Sequence, residues 1–169
     1  LTLMLMLCRR AGEGERELRA GEWTGWRPTH LVGQAMTGKR LGIIGMGRIG
    51  KAVARRAHFG FGLEIFFYNR SPVNDVDDMK AVQMASVTDV CAASDFISLH
   101  CAASPDTYQI LGAEALAAMH ESAYVVNTAR GDVVDEAALV AALNSAAIGG
   151  AGLDVYQGEP EINPAILAA

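Results

Sequence analysis

One hydrophobic segment that runs directly into three closely spaced glycines limits what this chain can fold into. A strand-like apolar run is followed at once by Gly45-Met46-Gly47-Arg48-Ile49-Gly50, and helix-forming residues come next. Each glycine has a physical role here: Gly45 permits a tight turn, Gly47 lets a pyrophosphate approach the backbone, and Gly50 allows the helix to pack closely on the strand. The first N–H groups of that helix, near Arg48 and Ile49, add a partial positive charge for the phosphates. We therefore predict a dinucleotide site rather than a ligand-free turn.

Short apolar runs that alternate with amphipathic stretches predict the fold of the rest of the chain. The predicted strands are Arg40 to Gly45, Leu63 to Tyr68, Val82 to Ala85, Asp95 to Leu99, Ala123 to Asn127 and Gly150 to Leu153. The predicted helices are Ile49 to Phe59, Ser86 to Ala93, Ala113 to Met119 and Asp135 to Leu143, with Ser86 and Asp135 as N-caps. This alternation predicts a Rossmann-type α/β fold, a doubly wound parallel sheet with helices on both faces.

The two ends of the chain resemble pieces of longer elements. The apolar run from Leu1 to Cys8 predicts one helix, truncated at its start, that continues to about Ala20. The Gly- and Pro-rich segment after it carries Trp23 and Trp26, which would either cover the edge of a core or be exposed for a partner. We divide the chain into residues 1–37, an expected dimer arm; residues 38–160, a dinucleotide-binding domain; and residues 161–169, the start of a connection to a missing C-terminal segment.

Charge and cysteine content argue against several classes of protein. With 14 basic and 19 acidic residues among 169, the formal net charge is −5, which disfavours a nucleic-acid binder held by basic surface charge. The apolar start is far shorter than the roughly 20 residues of a membrane-spanning helix, and it precedes its basic residues, so neither an anchor nor a signal peptide is expected. The three cysteines lack metal-ligand spacing, which predicts reduced thiols, no metal site and a cytoplasmic location.

The end of the second predicted strand bears on the choice of cofactor. An NAD-dependent enzyme of this fold usually has an acidic residue there that binds the adenosine ribose, but this chain has Asn69, Arg70 and Ser71. Asn69 does not repel a 2′-phosphate, Arg70 can form charge-assisted hydrogen bonds with it, and Ser71 can donate another. The sequence therefore favours NADP(H) and leaves NAD(H) open. It also leaves open that Arg70 is an ordinary surface residue.

Four segments in a fixed order carry a family resemblance. They are residues 38–50, Ser98-Leu99-His100-Cys101, Val126-Asn127-Thr128-Ala129-Arg130-Gly131, and Gly152-Leu153-Asp154-Val155-Tyr156 continued by Glu159-Pro160. In order and spacing they resemble the D-isomer-specific 2-hydroxyacid dehydrogenases, most closely the glyoxylate/hydroxypyruvate reductase branch. The resemblance implies hydride transfer from a nicotinamide cofactor to the keto carbon of a small 2-oxo acid, with glyoxylate or hydroxypyruvate favoured. It also implies a homodimer.

The same resemblance implies roles for individual residues. Arg130 would bind the carboxylate and the carbonyl oxygen of the substrate, which suits a guanidinium at the carboxyl end of a strand. Glu159 would raise the pKa of a catalytic histidine and orient its ring. Asp154 would accept a hydrogen bond from the carboxamide of the cofactor. The remaining implied cofactor contacts are His100, Cys101, Thr107, Thr128 and Ala129.

The chain departs from the family pattern at its catalytic histidine. That residue is expected beyond Glu159, in a segment that this chain does not contain, and His30, His58, His100 and His120 do not match its position. Ala102 also stands where relatives often have proline. The N-terminal half of the substrate domain is likewise outside the chain. We therefore expect the chain alone to bind cofactor without turning over substrate, and the complete parent protein to be an enzyme.

Two other functions also fit a glycine-rich first turn. A non-enzymatic NAD(P)-sensing corepressor of the same family would use this domain for cofactor-linked assembly, but it could lose Arg130 and Glu159, which are both present. An S-adenosylmethionine-dependent methyltransferase would have no role for the segment from Thr128 to Gly131. A 2-oxoacid reductase is therefore the prediction, and a corepressor-like assembly domain is the alternative.

Overall fold

Six parallel strands form one sheet in the computed structural model of the chain, which describes all 169 residues. The strands are β1 (Arg40–Ile44), β2 (Glu64–Tyr68), β3 (Val82–Gln83), β4 (Phe96–Leu99), β5 (Tyr124–Asn127) and β6 (Gly150–Leu153). Their order across the sheet is β3-β2-β1-β4-β5-β6, so the chain moves outward from β1 first on one side and then on the other. This is the order of a doubly wound sheet, and the predicted α/β fold is confirmed.

Seven α-helices connect and cover the strands. They are α1 (Thr2–Cys8), α2 (Ala11–Ala20), α3 (Arg48–Phe61), α4 (Val87–Ala93), α5 (Ala113–Ala117), α6 (Glu136–Asn144) and α7 (Pro164–Ala168). Both predicted N-caps are confirmed, because Ser86 Oγ accepts from the N–H of Asp89 at 3.0 Å and Asp135 Oδ1 accepts from the N–H of Ala138 at 3.1 Å. None of these helices combines the length and the apolar composition that crossing a bilayer requires.

Helices on both faces bury most of the central strands. α1 and α3 pack on one face, where Leu41 and Ile43 of β1 have no exposed surface. α4, α5 and α6 cover the other face, where Ile97 and Leu99 of β4 are equally buried. Full burial of a Leu or Ile side chain contributes about 1.5–3 kcal/mol. The two cores therefore hold the carboxyl edge of the sheet, at which the strands end, in a fixed place.

The single opening helix that the sequence predicts is wrong, because the chain forms two helices with a break between them. Arg10 has φ 53°, a left-handed conformation, and it separates α1 from α2. In a continuous helix the carbonyl oxygen of Cys8 would accept from the N–H of Gly12, but here it accepts from the N–H of Gln34 at 2.8 Å. Gly33 lies so close to Cys8 that a Cβ on Gly33 would overlap that carbonyl group. The segment with Gly33 and Gln34 thus packs against Cys8, the last residue of α1, and takes the carbonyl group that would continue the helix.

The cysteines and tryptophans occupy different environments. Cys8 and Cys91 are buried, Cys101 is half-buried, and all three are free thiols. Trp23 and Trp26 are 55% and 82% exposed, so the alternative in which they cover the edge of the core is wrong. α1 belongs to the core through Met4 and Cys8, whereas α2 has no buried residue. The part of the N-terminal region that lies outside the core is therefore α2 and residues 21–35, whereas Met36 is buried in the core.

Candidate functional site

The carboxyl ends of β1 and β4 are neighbours at the centre of the sheet. β1 pairs with β2 on one side and with β4 on the other. The chain after β1 continues into α3 on one face, and the chain after β4 continues toward α5 on the opposite face. In doubly wound sheets a crevice opens between two such connections and receives the ligand. The cleft at this position has a volume of about 600 Å³.

The three glycines after β1 determine the shape of this cleft. Gly45 has φ +97°, and a Cβ there would lie 2.7 Å from the amide nitrogen of Cys101, so only glycine fits between the two strand ends. A Cβ on Gly50 would overlap the carbonyl oxygen of Gly45, because α3 begins directly against the turn. Gly47 has no atom within 4 Å of where its Cβ would stand. The loop is therefore tightly packed at Gly45 and Gly50 and open at Gly47, which suits close approach of a phosphate group to Gly47.

The amino end of α3 has no anionic partner within the chain. Gly47 is the N-cap and supplies no side chain, and no acidic residue stands in the first turn. The first N–H groups of a helix lack intrahelical acceptors and carry a partial positive charge, so an anion fits here. The side chains of Arg48 and Ile49 line a separate groove beside the start of α1. Any contribution of these two residues to a ligand in the cleft would therefore come from their backbone N–H groups.

Most of the predicted cofactor contacts line this one cleft. Its walls come from the ends of β1, β2 and β4 and from the loop after β4. They are formed by Ile44, Gly45, Gly47, Tyr68, Asn69, Arg70, Ser71, His100, Cys101, Ala102, Ser104, Asp106, Thr107 and Ile110. The predicted contacts that do not line it are Arg48, Ile49, Gly50, Thr128, Ala129 and Asp154.

Hydrogen bonds shape the turn after β2 at the mouth of the cleft. Asn69 Nδ2 donates to the carbonyl oxygen of Ser71 at 2.9 Å, and Gln83 Nε2 donates to the carbonyl oxygen of Asn69 at 3.0 Å. Asn69 therefore has a structural role in addition to its place in the cleft wall. Gln83 is a residue that the sequence analysis missed, and only the pairing of β2 with β3 brings it to this turn. Arg70 stands at the mouth with 82% of its side chain exposed.

The loop after β4 closes the other side of the mouth. A short helical turn, Pro105–Thr107, begins at Ser104. Thr107 Oγ1 accepts from the N–H of Ser104 at 2.9 Å and donates to the carbonyl oxygen of Ala102 at 2.6 Å. Thr107 therefore holds the path of this loop across Ala102. The carboxylate of Asp106, another residue that the sequence analysis missed, lies 3.0 Å from Arg70 Nη1.

His100 and Cys101 form a neutral floor in the cleft. Burial is the main cause that lowers the pKa of His100 to about 4. The ring is therefore uncharged near pH 7, and its Nε2 lies 2.9 Å from the hydroxyl of the buried Ser98. Burial also raises the pKa of the Cys101 thiol, which stays protonated. His100 is thus a poor proton donor at neutral pH, as its position in the family resemblance implies.

The buried side chain of Asn127 fixes the loop that carries Arg130. Asn127 Nδ2 donates to the carbonyl oxygen of Arg130 at 2.8 Å, and Asn127 Oδ1 accepts from the N–H of Ala129 at 3.0 Å. The guanidinium of Arg130 is exposed and donates to the carbonyl oxygen of Ala129 at 2.6 Å. Thr128 is exposed between them. Since β5 lies beside β4, Arg130 stands one strand away from the end of β4 at the same edge of the sheet.

The chain after β6 reaches the same edge. The N–H of Asp154 donates to the carbonyl oxygen of Asn127 at 3.0 Å, and the Asp154 side chain is exposed. Further on, Glu159 is exposed and its Oε1 accepts from the N–H of Tyr156 at 2.6 Å. Asp154 and Glu159 therefore belong to one loop that lies beside the segment carrying Arg130. Arg130 and Glu159 form no ion pair with each other.

A close backbone contact joins these two loops. A Cβ on Gly131 would overlap the carbonyl group of Tyr156 and the nitrogen of Gln157. The buried carboxylate of Glu136 accepts from the N–H of Gln157 at 2.6 Å. Gly131 and Glu136 were not predicted as site residues, although a glycine directly after Arg130 is a signal for close approach. No cluster of three or more His, Cys, Asp or Glu side chains is arranged to hold a metal ion.

Comparison with known proteins agrees with this geometry. The family model "D-isomer specific 2-hydroxyacid dehydrogenase, NAD binding domain" matches residues 1–169. A glyoxylate reductase of Thermococcus litoralis is 41% identical over 165 residues, which cover 95% of this chain and 50% of the relative. A glycerate dehydrogenase of Hyphomicrobium methylovorum is 40% identical over 165 residues, which cover 96% of this chain and 51% of the relative.

A solved structure leads to the same comparison. The crystal structure of a glyoxylate reductase from Paecilomyes thermophila has a TM-score of 0.86 and 40% sequence identity, and the match covers 99% of this chain and 50% of that one. The chain therefore spans about half the length of the relatives it matches. The predicted family resemblance and the predicted fold are both confirmed.

The contact at Gly131 predicts a specific loss of order in the loop that carries Glu159. Replacing Gly131 by Ala should push the Tyr156–Gln157 backbone away and lower the free energy of unfolding by about 1–3 kcal/mol. Amide hydrogen exchange should accelerate most in residues 154–159, and urea denaturation measures the overall loss.

The matched control is Gly60→Ala near the end of α3. A Cβ on Gly60 meets no atom within 4 Å, so the change should leave residues 154–159 protected and stabilise the helix by roughly 0.5–1 kcal/mol. Equal exchange rates in residues 154–159 for wild type and Gly131→Ala would contradict the assigned contact.

The lowered pKa of His100 predicts a pH dependence of stability. Between pH 6.5, the value of an unperturbed histidine, and about 4, the unfolded chain binds a proton at His100 that the folded chain does not. Stability should therefore fall as pH decreases through this window, by roughly 1–3 kcal/mol for this residue. Urea denaturation of wild type and His100→Asn at both ends of the window measures it, and the variant should lose less. Identical pH dependence in the two proteins would disprove the assignment.

Proposed function

Because the chain belongs to the D-isomer-specific 2-hydroxyacid dehydrogenase family, we propose that it is the cofactor-binding half of a 2-oxoacid reductase. The observation that carries this proposal is the glycine loop. Gly47 faces open space at the amino end of α3, which no side chain caps, and it lies in the wall of a cleft of about 600 Å³. The family assignment also removes the methyltransferase alternative. Glyoxylate and hydroxypyruvate are the proposed substrates, in line with the names of the relatives.

The proposed cofactor is NADP(H), with NAD(H) as the alternative. The pyrophosphate would lie against the N–H groups that begin α3, with Gly47 leaving room for it. The adenosine ribose would lie at the mouth of the cleft, where Asn69, Arg70 and Ser71 stand and where β2 supplies no carboxylate. Arg70 would bind the 2′-phosphate, because a guanidinium can donate two parallel hydrogen bonds to phosphate oxygens.

The proposed reaction takes place at the ends of β4, β5 and β6. The bound cofactor supplies the hydride that reduces the keto carbon. Asp154 would accept a hydrogen bond from the carboxamide of the cofactor. The neutral side chains of His100 and Cys101 would line the cleft beside the cofactor and exclude water there. Arg130 would hold the substrate carboxylate and stabilise the negative charge that develops on the carbonyl oxygen. Glu159 would orient a histidine that lies outside residues 1–169 and raise its pKa. This histidine would then protonate the carbonyl oxygen as the keto carbon is reduced.

Three further parts of the proposal concern the whole protein. We propose that residues 1–37 include a dimer arm, that residues 38–160 bind the dinucleotide, and that residues 161–169 begin the connection to the rest of the enzyme. The free state of all three cysteines favours a cytoplasmic protein. A homodimer is proposed through α2 and the segment after it, where Trp23 and Trp26 are exposed.

Internal contacts support an ordered dimer arm. Glu17 of α2 lies 2.7 Å from His30 Nε2 and 3.7 Å from Arg27 Nη2. These contacts tie the tryptophan segment back onto α2, so the tryptophans extend from a defined surface. Exposed tryptophans on such a surface are typical of protein interfaces, in which they often contribute most of the binding energy.

Cofactor binding by this chain tests the central proposal. Calorimetric titration of the purified chain should detect both NADPH and NADH, with NADPH binding more tightly. Arg70→Ala should weaken NADPH by roughly tenfold, because it removes a charge-assisted contact, and should change NADH by less than about twofold. Equal losses for the two nucleotides would remove Arg70 as the phosphate ligand. Failure of the wild-type chain to bind either nucleotide would end the proposal.

The dimer arm makes a separate prediction about assembly. Sedimentation velocity should find a dimer of the chain, and Trp23→Ala and Trp26→Ala should each raise its dissociation constant by roughly tenfold or more. Phe59→Ala is the matched control, because Phe59 is also an exposed aromatic residue but lies on α3. If the tryptophan variants associate as strongly as this control, the proposed interface is wrong.

A further inference from the structure

We propose that Asp106 is a second determinant of cofactor choice, which opposes Arg70 and keeps the site open to NADH. This inference rests on the proposed function, in which the mouth of the cleft receives the adenosine ribose. The starting observation is the ion pair across that mouth, where Arg70 Nη1 lies 3.0 Å from Asp106 Oδ2. Both side chains line the cleft.

The backbone that carries Asp106 is held in place by its own loop. Asp106 lies within the short turn that Ser104 begins, and Thr107 closes this turn through its bonds to the N–H of Ser104 and the carbonyl oxygen of Ala102. Pro105, directly before Asp106, further restricts the backbone. Both side chains are largely exposed, 82% of Arg70 and 73% of Asp106, but the Asp106 side chain is shorter and moves less far from its backbone. Of the two partners, Asp106 therefore has the shorter reach and Arg70 the longer one.

Arg70 and Asp106 carry the only formal charges in the cleft wall, one positive and one negative. No other Asp or Glu lines the cleft, and the other residues around its mouth, Ser71 and Ser104 among them, are uncharged. His100 at the floor is neutral near pH 7, because burial is the main cause that lowers its pKa to about 4. The electrostatic preference of the mouth is thus set by one guanidinium and one carboxylate, whose charges cancel when no ligand is present.

A 2′-phosphate must overcome Asp106 in two ways. It has to compete with this carboxylate for Nη1 of Arg70, the guanidinium nitrogen that lies 3.0 Å from Asp106 Oδ2. It also has to approach a like charge, which costs about 1 kcal/mol per pair of unit charges at 4 Å in water. NADH carries no phosphate there, and its ribose hydroxyls can donate hydrogen bonds to a carboxylate. Asp106 therefore supplies, from the opposite wall, the acidic group that is absent from the end of β2.

The test compares wild type with Asp106→Asn, which keeps the size of the side chain and removes its charge. In calorimetric titrations at low salt, the dissociation constant for NADPH should fall by about threefold to tenfold. The dissociation constant for NADH should stay the same or rise, because the carboxylate acceptor is lost. The gain for NADPH should shrink when the salt concentration is raised from about 0.05 M to about 0.5 M, since screening weakens the repulsion.

Glu114→Gln provides the matched control for net charge. Glu114 is an exposed acid in the first turn of α5 that does not line the cleft, so its neutralisation should change neither dissociation constant. If Asp106→Asn leaves the ratio of the two constants unchanged, or changes it no more than Glu114→Gln does, the inference is wrong. That result differs from a failure of the proposed function, in which the wild-type chain would bind neither nucleotide.

Discussion

The site depends on backbones that pass one another more closely than any side chain would allow. At the centre of the sheet, Gly45 lets the turn after β1 touch Cys101 at the end of β4, and Gly50 brings the first turn of α3 against Gly45. Farther along the same edge, Gly131 lets the loop after β5 touch the loop after β6. Buried strands on both sides hold these contacts in place. The cleft and the loops around it are therefore shaped by packing before any ligand is present.

Much of the fold could be predicted from the sequence, because strongly apolar runs and capping residues act locally. All six strands and the caps at Ser86 and Asp135 follow from residues within a few positions of each element. The break between α1 and α2 could not be found in this way. It depends on Gly33 and Gln34, which return from more than twenty positions away to take the carbonyl oxygen of Cys8. A local pattern of helix-forming residues contains no information about such a competitor.

The same division applies to the candidate site. That the glycine loop and Arg70 line one cleft could be predicted, because their proposed chemistry is visible in the types of the residues themselves. Asp106 could not, because an exposed acid after a proline is an ordinary loop residue until the fold places it across from Arg70. Gln83 and Glu136 were missed for a similar reason, since each acts on the backbone of a segment distant in sequence. Contacts between segments that are distant in sequence depend on the tertiary structure, and the types of the residues alone do not reveal them.

The residues proposed to bind the cofactor and those proposed to act on the substrate differ in how far their groups are engaged within the chain. The amino end of α3 has no side-chain cap and no acidic residue in its first turn, so no anion of the chain competes with a phosphate there. The Arg130 guanidinium instead donates to the neutral carbonyl oxygen of Ala129, and Glu159 accepts from the N–H of Tyr156. In the proposed reaction an anionic substrate would replace the Ala129 carbonyl, and a charge-assisted bond is about twice as strong as a neutral one. Arg130 would thus turn toward the carboxylate and carbonyl oxygen of the substrate only when substrate arrives, whereas the glycine loop at the start of α3 is shaped before the cofactor binds.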